Sequence, residues 1–190
     1  MQKGFYFDQS RCIGCYTCLI ACKDWHEYEI GSEPENWMRV SITERGQFPD
    51  LFSAYLVQPC LHCEDPPCVT ACPVGVIEKR SKDGIVVVDR DACLGNGACE
   101  CDCRAACPYD SPKFGLEADA KMQKCELCHD RWIQGKKPVC VEACPMRALD
   151  AGPLDELKTL YGDVREADGF IYSEEAKPSA VFRKKSKNSA

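Results

Sequence analysis

Cys12-Ile-Gly-Cys15-Tyr-Thr-Cys18-Leu-Ile-Ala-Cys22 sets four cysteines within eleven residues, spaced x2, x2 and x3. Three thiolates this close together can wrap one polynuclear centre from a single tight loop. The fourth lies about one helical turn, ~3.6 residues, beyond the third, so it points away and is free to serve a second centre. Three further groups vary the same scheme. They are Cys60-x2-Cys63-x4-Cys68-x3-Cys72-Pro73, then Cys93, Cys99, Cys101 and Cys103 followed by x3-Cys107-Pro108, and Cys125-x2-Cys128-x11-Cys140-x3-Cys144-Pro145. The proline after the last cysteine lacks an N–H and fixes φ, turning the chain out of a short helix.

Seventeen cysteines in 190 residues leave three explanations: disulfides, zinc or iron–sulfur clusters. Disulfides fit poorly. The number is odd, the CxxC and CxC spacings are too tight for an ordinary framework, and Met1-Gln-Lys-Gly-Phe-Tyr-Phe-Asp-Gln-Ser-Arg-Cys12 has no apolar secretory core. A structural zinc-binding module is the remote alternative. Zinc generally takes two separated CxxC pairs per ion, often with histidine. Here one short loop already holds as many thiols as a tetrahedral ion can use, and the scheme recurs four times. The first group has the ferredoxin spacing for cubane clusters.

The groups sit in an internal repeat. Gly4-Phe-Tyr-Phe-Asp-Gln-Ser-Arg-Cys12 parallels Gly84-Ile-Val-Val-Val-Asp-Arg-Asp-Ala-Cys93, each an apolar strand, an aspartate turn and the first cysteine of a loop. Val69-Thr-Ala-Cys-Pro73 parallels Val141-Glu-Ala-Cys-Pro145. The expected fold is α+β: two nested ferredoxin-like modules of two clusters each, with a β-hairpin insertion and an extended C-terminal tail. The outer module takes residues 1–27 and 110–169, and the inner module 59–109.

Nesting outer with outer and inner with inner would join Cys12, Cys15 and Cys18 to Cys144, and Cys125, Cys128 and Cys140 to Cys22. It would also join Cys60, Cys63 and Cys68 to Cys107, and Cys93, Cys103 and one middle cysteine to Cys72. Four [4Fe-4S] clusters need about sixteen thiolates, which leaves one of the seventeen spare. The irregularity lies in the third group, where Asn96 occupies the regular second-ligand position. Cys99 and Cys101 each miss the x2 spacing to Cys103 by one residue, and the longer loop favours Cys99. A [3Fe-4S] cluster in that group is the alternative.

Residues 28–58 carry no cysteine. Trp37-Met-Arg-Val-Ser-Ile42 and Leu51-Phe-Ser-Ala-Tyr-Leu-Val57 read as two strands turning at Gly46 and Pro49, a hairpin suited to a subunit contact. Residues 170–190 lack a self-sufficient core pattern and read as a segment lying across a partner chain, in preference to a disordered basic tail. His62 and His129 flank ligand cysteines and are expected to support them without binding metal. Trp25, Trp37 and Trp132 are expected to pack near the clusters. Each oxidised cubane carries about −2, so Lys23, Lys79, Arg80, Arg104, Lys124, Arg131 and Arg147 are candidates to offset charge near the cysteines.

A net charge of −6 without a basic stripe argues against nucleic-acid binding. No stretch approaches the ~20 apolar residues that span a bilayer. No phosphate loop, nucleotide fingerprint or catalytic triad spacing is present, so a non-catalytic, electron-transferring role is expected.

Cys60-Leu-His-Cys-Glu-Asp-Pro-Pro-Cys68, Lys124-Cys-Glu-Leu-Cys-His-Asp-Arg131 and Gly135-Lys-Lys-Pro-Val-Cys-Val-Glu-Ala-Cys-Pro145 resemble the four-cluster iron–sulfur beta subunits of the dimethyl sulfoxide reductase superfamily, the molybdopterin oxidoreductases. Arg147-Ala-Leu-Asp-Ala-Gly-Pro-Leu-Asp-Glu-Leu157 is similar to the dimethyl sulfoxide reductase branch, whereas Asn96-Gly-Ala-Cys-Glu-Cys-Asp102 departs from the pattern. The resemblance implies the nested pairing above. It also implies relay of single electrons between a molybdenum- or tungsten-pterin catalytic subunit and a membrane anchor or soluble carrier. A relay in a hydrogenase or formate dehydrogenase complex is the alternative. Cluster insertion needs a reducing compartment, so the expected location is the cytoplasm, or the periplasm after export alongside a partner. The chain would be peripheral to the membrane if an anchor exists.

Anaerobically purified protein is expected to contain about sixteen iron atoms and as many acid-labile sulfides per chain. Stoichiometric zinc with little iron would defeat the reading.

Overall fold

The computed structural model describes residues 1–27 and 36–186; part of the 28–58 segment, residues 28–35, lies outside the described residues, as do 187–190. The elements run β1 (Lys3–Asp8), α1 (Thr17–His26), β2 (Arg39–Arg45), β3 (Phe52–Gln58), α2 (Pro67–Ala71), β4 (Ile77–Lys79), β5 (Val86–Val88), α3 (Asp102–Ala105), α4 (His129–Ile133), α5 (Val139–Ala143), β6 (Leu149–Pro153), α6 (Leu154–Tyr161) and β7 (Ala180–Arg183). The result is a ferredoxin-like mixture of short strands and short helices.

Strand β1 is the centre of a three-stranded sheet. It pairs antiparallel with β6, Phe5 facing Ala151, and parallel with β7, Phe5 facing Ala180. Alternation along β1 sends its side chains to two faces. Phe5 and Phe7 enter the main core beside Cys18, Cys140 and Cys144. Tyr6 packs on the other side with Leu154 and Leu157 of α6, and stacks on Tyr161 with ring centroids 3.7 Å apart. A second ribbon, β4 with β5, lies in a separate core with Cys68, Cys93 and Cys103. Helix α1 packs on α5, and α2 on α3.

Both halves of the internal repeat use the same local device. Asp8 accepts from the backbone N–H and the hydroxyl of Ser10, at 2.9 and 2.5 Å. Asp89 accepts from the N–H groups of Asp91 and Ala92, at 3.1 and 3.2 Å. These carboxylate turns end the strands and launch the cysteine loops, which is why aspartate stands at both places.

The hairpin β2–β3 is paired over its whole length, from Arg39 opposite Gln58 to Arg45 opposite Phe52. Strand β3 buries Phe52, Ala54 and Leu56. The far end of the hairpin leaves Phe48 and Leu51 exposed.

The C-terminal segment, expected as an extended tail lying across a partner, packs on its own chain as far as Arg183. Residues 170–183 return to their own chain. Ser173 N–H donates to Tyr109 Oη at 3.0 Å, and Lys177 pairs with Asp65 at 2.7 Å. Ser179 donates through its N–H to Leu61 O and through Oγ to His62 O, at 3.0 and 2.9 Å. Ala180–Arg183 then joins the edge of β1, burying Val181 and Phe182. A four-residue strand is too short to show periodicity, and its partner lies at the opposite end of the chain, so no local pattern announces it. The segment straps the Leu61–Asp65 loop to the outer sheet.

Phe182→Ala is expected to destabilise the loaded protein by about 3–5 kcal/mol, the range for emptying a buried aromatic site. The check is the guanidinium midpoint for loss of the clusters' visible absorbance, which should fall well below that of the unchanged protein.

Candidate metal centres

Each cysteine group is built on one local plan. The residue before the second position is left-handed in all four: Gly14 at φ 68°, His62 at 43°, Gly95 at 87° and Leu127 at 54°. That reversal curls the loop so that successive thiols converge. At Gly14 a side chain would also strike the ring of Tyr55 on the hairpin. The third cysteine then stands in the first turn of a short helix: Cys18 on α1, Cys68 on α2, Cys103 on α3 and Cys140 on α5. Pro67 begins α2 and Pro138 caps α5, positions where the missing N–H costs nothing. Cys72 and Cys144 are the C-caps of α2 and α5, one turn on.

The thiols gather into four quartets, each joining three cysteines of one group to the last cysteine of another. Cys12, Cys15, Cys18 and Cys144 line one cavity, with Phe7, Val40 and Val57 behind them. Burial and then Cys12, Cys144 and Cys15 push the Cys18 thiol up to about 11. Burial followed by Cys125, Cys128 and Cys22 drives Cys140 well up. Burial followed by Cys60, Cys107 and Cys68 does the same to Cys63. Cys72, Cys93, Cys99 and Cys103 line the last cavity, where burial and then Cys99, Cys101 and Cys72 raise Cys103 to about 12.

These shifts define what the quartets need. Buried thiols with raised pKa values stay protonated at neutral pH, and packing them as thiolates without a counter-charge is unfavourable. A polynuclear iron centre supplies that charge and takes four thiolates, so the donor sets fit cubane clusters. The backbone prepares the same sites for anionic sulfur. Leu127 N–H donates to Cys125 Sγ at 3.4 Å, Ser111 N–H to Cys107 Sγ at 3.5 Å and Ala148 N–H to Cys144 Sγ at 3.4 Å. At Cys72 burial raises the thiol, but the N–H groups of Val74, Val76, Ile77 and Gly75 together hold it below the usual range. In the three groups that contain Cys-Pro, the amide four residues past the cysteine returns to its sulfur, which gives the proline turn a purpose.

In the third group the backbone register distinguishes Cys99 from Cys101. Tyr16 is the left-handed N-cap of α1, two residues before Cys18; Cys101 is the left-handed N-cap of α3, two residues before Cys103. Cys101 therefore stands where the first group has a non-ligand. Asn96 follows the left-handed Gly95 as Cys15 follows Gly14, and donates to Gly115 O at 3.4 Å. The inserted residues 97–100 bring Cys99 to the cavity.

His62 is buried and accepts from Val86 N–H through Nδ1 at 3.0 Å. His129 lies 3.6 Å from Glu126, beside His26, whose Nε2 is 3.4 Å from Cys128 Sγ. His26 lies far from the fourth group along the chain, so cysteine spacing gives no sign of it. Trp37 is buried among Cys22, Cys60 and Cys125, with its indole N–H on Gln123 at 3.1 Å.

Residues 51–154 match the 4Fe-4S dicluster domain. The chain is 42% identical to the B component of anaerobic dimethyl sulfoxide reductase from Escherichia coli, over 96% of this chain and 88% of that protein. The chain belongs to the iron–sulfur beta subunits of the dimethyl sulfoxide reductase superfamily. It is also 37% identical to the B component of sulfite dehydrogenase from Allochromatium vinosum, over 90% of this chain and 72% of that one. With protein NrfC of Escherichia coli it shares 39% identity, over 82% of this chain and 67% of that one. The chain is an electron-transfer subunit of an oxidoreductase complex that holds 4Fe-4S clusters, and the zinc-module alternative falls. Among the described residues no helix is long and apolar enough to cross a membrane.

Gly14→Ala is expected to cost the first quartet its centre, since a left-handed non-glycine residue costs about 1–3 kcal/mol before the clash with Tyr55 is counted. Iron per chain should fall by one cluster's content while the other electron paramagnetic resonance signals persist.

Proposed function

We propose that the chain holds four [4Fe-4S] clusters in single file. The ligands are Cys12, Cys15, Cys18 and Cys144; Cys125, Cys128, Cys140 and Cys22; Cys60, Cys63, Cys68 and Cys107; and Cys93, Cys99, Cys103 and Cys72. Two nested modules supply them. Support for nesting comes from β1 pairing with β6 and α1 with α5 around β4–β5 and α2–α3.

The observation that carries the wire is the set of thiols bridging the quartets. Cys140 feels Cys18 of the first quartet, Cys125 feels Cys60 of the third, and Cys68 feels Cys103 of the fourth. These couplings, with Cys60 packed beside Cys125 and Cys68 beside Cys103, support an order of the four sites in one line. A bound cubane accepts or gives one electron at a time. The chain's own part is to hold neighbouring sites close in the core and to bring the two ends to the surface. At one end Cys15 is exposed among Ile13, Tyr16 and Ile20; at the other Cys72 is half-buried beside exposed Val74 and Leu94. Apolar rims of this kind suit docking of protein partners at both ends.

Membership of the superfamily suggests the partners: a molybdenum- or tungsten-pterin catalytic subunit at one end, and a membrane anchor or soluble carrier at the other. The exposed tip of the hairpin, Phe48 and Leu51, is a third apolar surface suited to a subunit contact. The chain is then peripheral to any membrane, held there by its partners.

Cys101→Ser is expected to leave iron content and all four resonance signals unchanged. Cys99→Ser should remove one iron and produce the signal of an oxidised three-iron cluster. The reverse pattern would reassign the ligand to Cys101, and a wild-type chain with about fifteen irons would mean that neither cysteine binds.

A further inference from the structure

Seven cations flank the cysteine groups, but the structure gives them different surroundings. Arg80 pairs with Asp83 at 3.0 Å, Arg104 with Asp110 at 3.0 Å, and Arg131 with Glu142. Lys79 is half-buried and donates to Glu64 O, and Arg147 reaches Glu142 O at 3.3 Å from the surface. Lys124 differs from all of these. It is 3% exposed, and its ammonium donates to two backbone carbonyls, Val86 O and, at 2.9 Å, Cys125 O. Among the described residues no carboxylate lies within ion-pair distance of it. Burying an ammonium without an anion is heavily penalised, and carbonyl dipoles offset only part of that cost.

We propose that Lys124 is the built-in counter-cation of the cluster held by Cys60, Cys63, Cys68 and Cys107, a reading that rests on the four-cluster assignment above. Although Lys124 immediately precedes Cys125, a ligand of the neighbouring centre, its ammonium ends on Val86 O, and Val86 packs in one buried cluster with Cys68. Strand β5 fixes this placement. Val86 gives neither of its polar backbone groups to β4: its carbonyl accepts from Lys124, and its N–H donates to His62 Nδ1 at 3.0 Å. That bond leaves the His62 proton on Nε2, which is buried without an acceptor among the described residues. Two donors, one of them a fixed positive charge, therefore flank a loop whose thiolates bear the centre's negative charge. Reduction adds one electron and one unit of negative charge. A cation at fixed distance stabilises the reduced form more than the oxidised one and raises that cluster's potential.

The test is an electron paramagnetic resonance redox titration of the complete complex carrying Lys124→Met or Lys124→Arg. Lys124→Met should shift the redox equilibrium of one cluster at least tenfold toward the oxidised form, 59 mV for one electron, leaving the other three in place. Lys124→Arg should hold the wild-type value. Unchanged potentials in Lys124→Met, equal shifts in both variants, or a drift of all four clusters would each overturn the proposal. Should Lys124→Met fail to load one cluster while Lys124→Arg loads it, the positive charge is required for assembly, which supports the same role. Loss of that cluster in both variants would instead make side-chain shape the requirement and overturn it. A wild-type complex lacking four resonance signals would refute the four-cluster assignment, a result distinct from any of these.

Discussion

The structure depends on the three-residue gap between the third and fourth cysteine of each group. It puts the fourth thiol about one helical turn away, within α1 at Cys22 and at the C-caps of α2 and α5 at Cys72 and Cys144. No group can then complete its own tetrahedron, and every centre must be closed from another part of the chain. Hence Cys144 meets Cys12, Cys15 and Cys18 across more than half the sequence, and Cys22 meets Cys125, Cys128 and Cys140. The clusters perform the task that long aliphatic runs perform in other folds: they tie distant segments together. Strands of three to seven residues suffice because the ligand bonds hold their ends.

Much of this was legible. The cysteine spacing, the doubled strand–aspartate–cysteine unit and the two apolar runs before and after Gly46 all report local chemistry, and local chemistry leaves periodic traces. The two runs read as strands became β2 and β3. What was illegible depended on contacts distant in sequence. Strand β7 is four residues long and acquires its meaning only beside β1. His26 reaches the fourth group's Cys128 from the far end of α1. Among seven flanking cations, sequence offered no means to tell Lys124 from Arg131; both are buried, and only the position of Glu142 separates them.

The third group shows how backbone conformation resolves what spacing leaves open. Counting residues makes Cys99 and Cys101 equally irregular. The left-handed positions supply a second ruler: Gly14 and Gly95 align, as do Tyr16 and Cys101. Between those marks the loop gains the residues 97–100, and Cys99 is the thiol among them. The insertion thus brings the Cys99 thiol to the cavity without moving the helix that follows, which keeps Cys103 in the first turn of α3 and Cys107 beyond its end.

Charge compensation differs along the line of centres, and the fold explains why. The two end sites meet water or a partner: Cys15 is exposed and takes the Thr17 hydroxyl at 3.3 Å, while Cys72 is wrapped by backbone amides. The interior sites also draw on backbone amides, Leu127 N–H at Cys125 and Ser111 N–H at the half-buried Cys107, but their charged surroundings diverge. At Cys128, burial, Asp130 and Glu126 raise the thiol against the pull of Arg131, whose own charge is balanced by Glu142. Beside the third site lies Lys124, whose ammonium ends on Val86 O in the core that holds Cys68, and among the described residues no carboxylate pairs with it. On the proposed ligand assignment, Lys124 and Glu126 stand on either side of Cys125, so one short loop sets fixed charges of opposite sign beside the two interior sites.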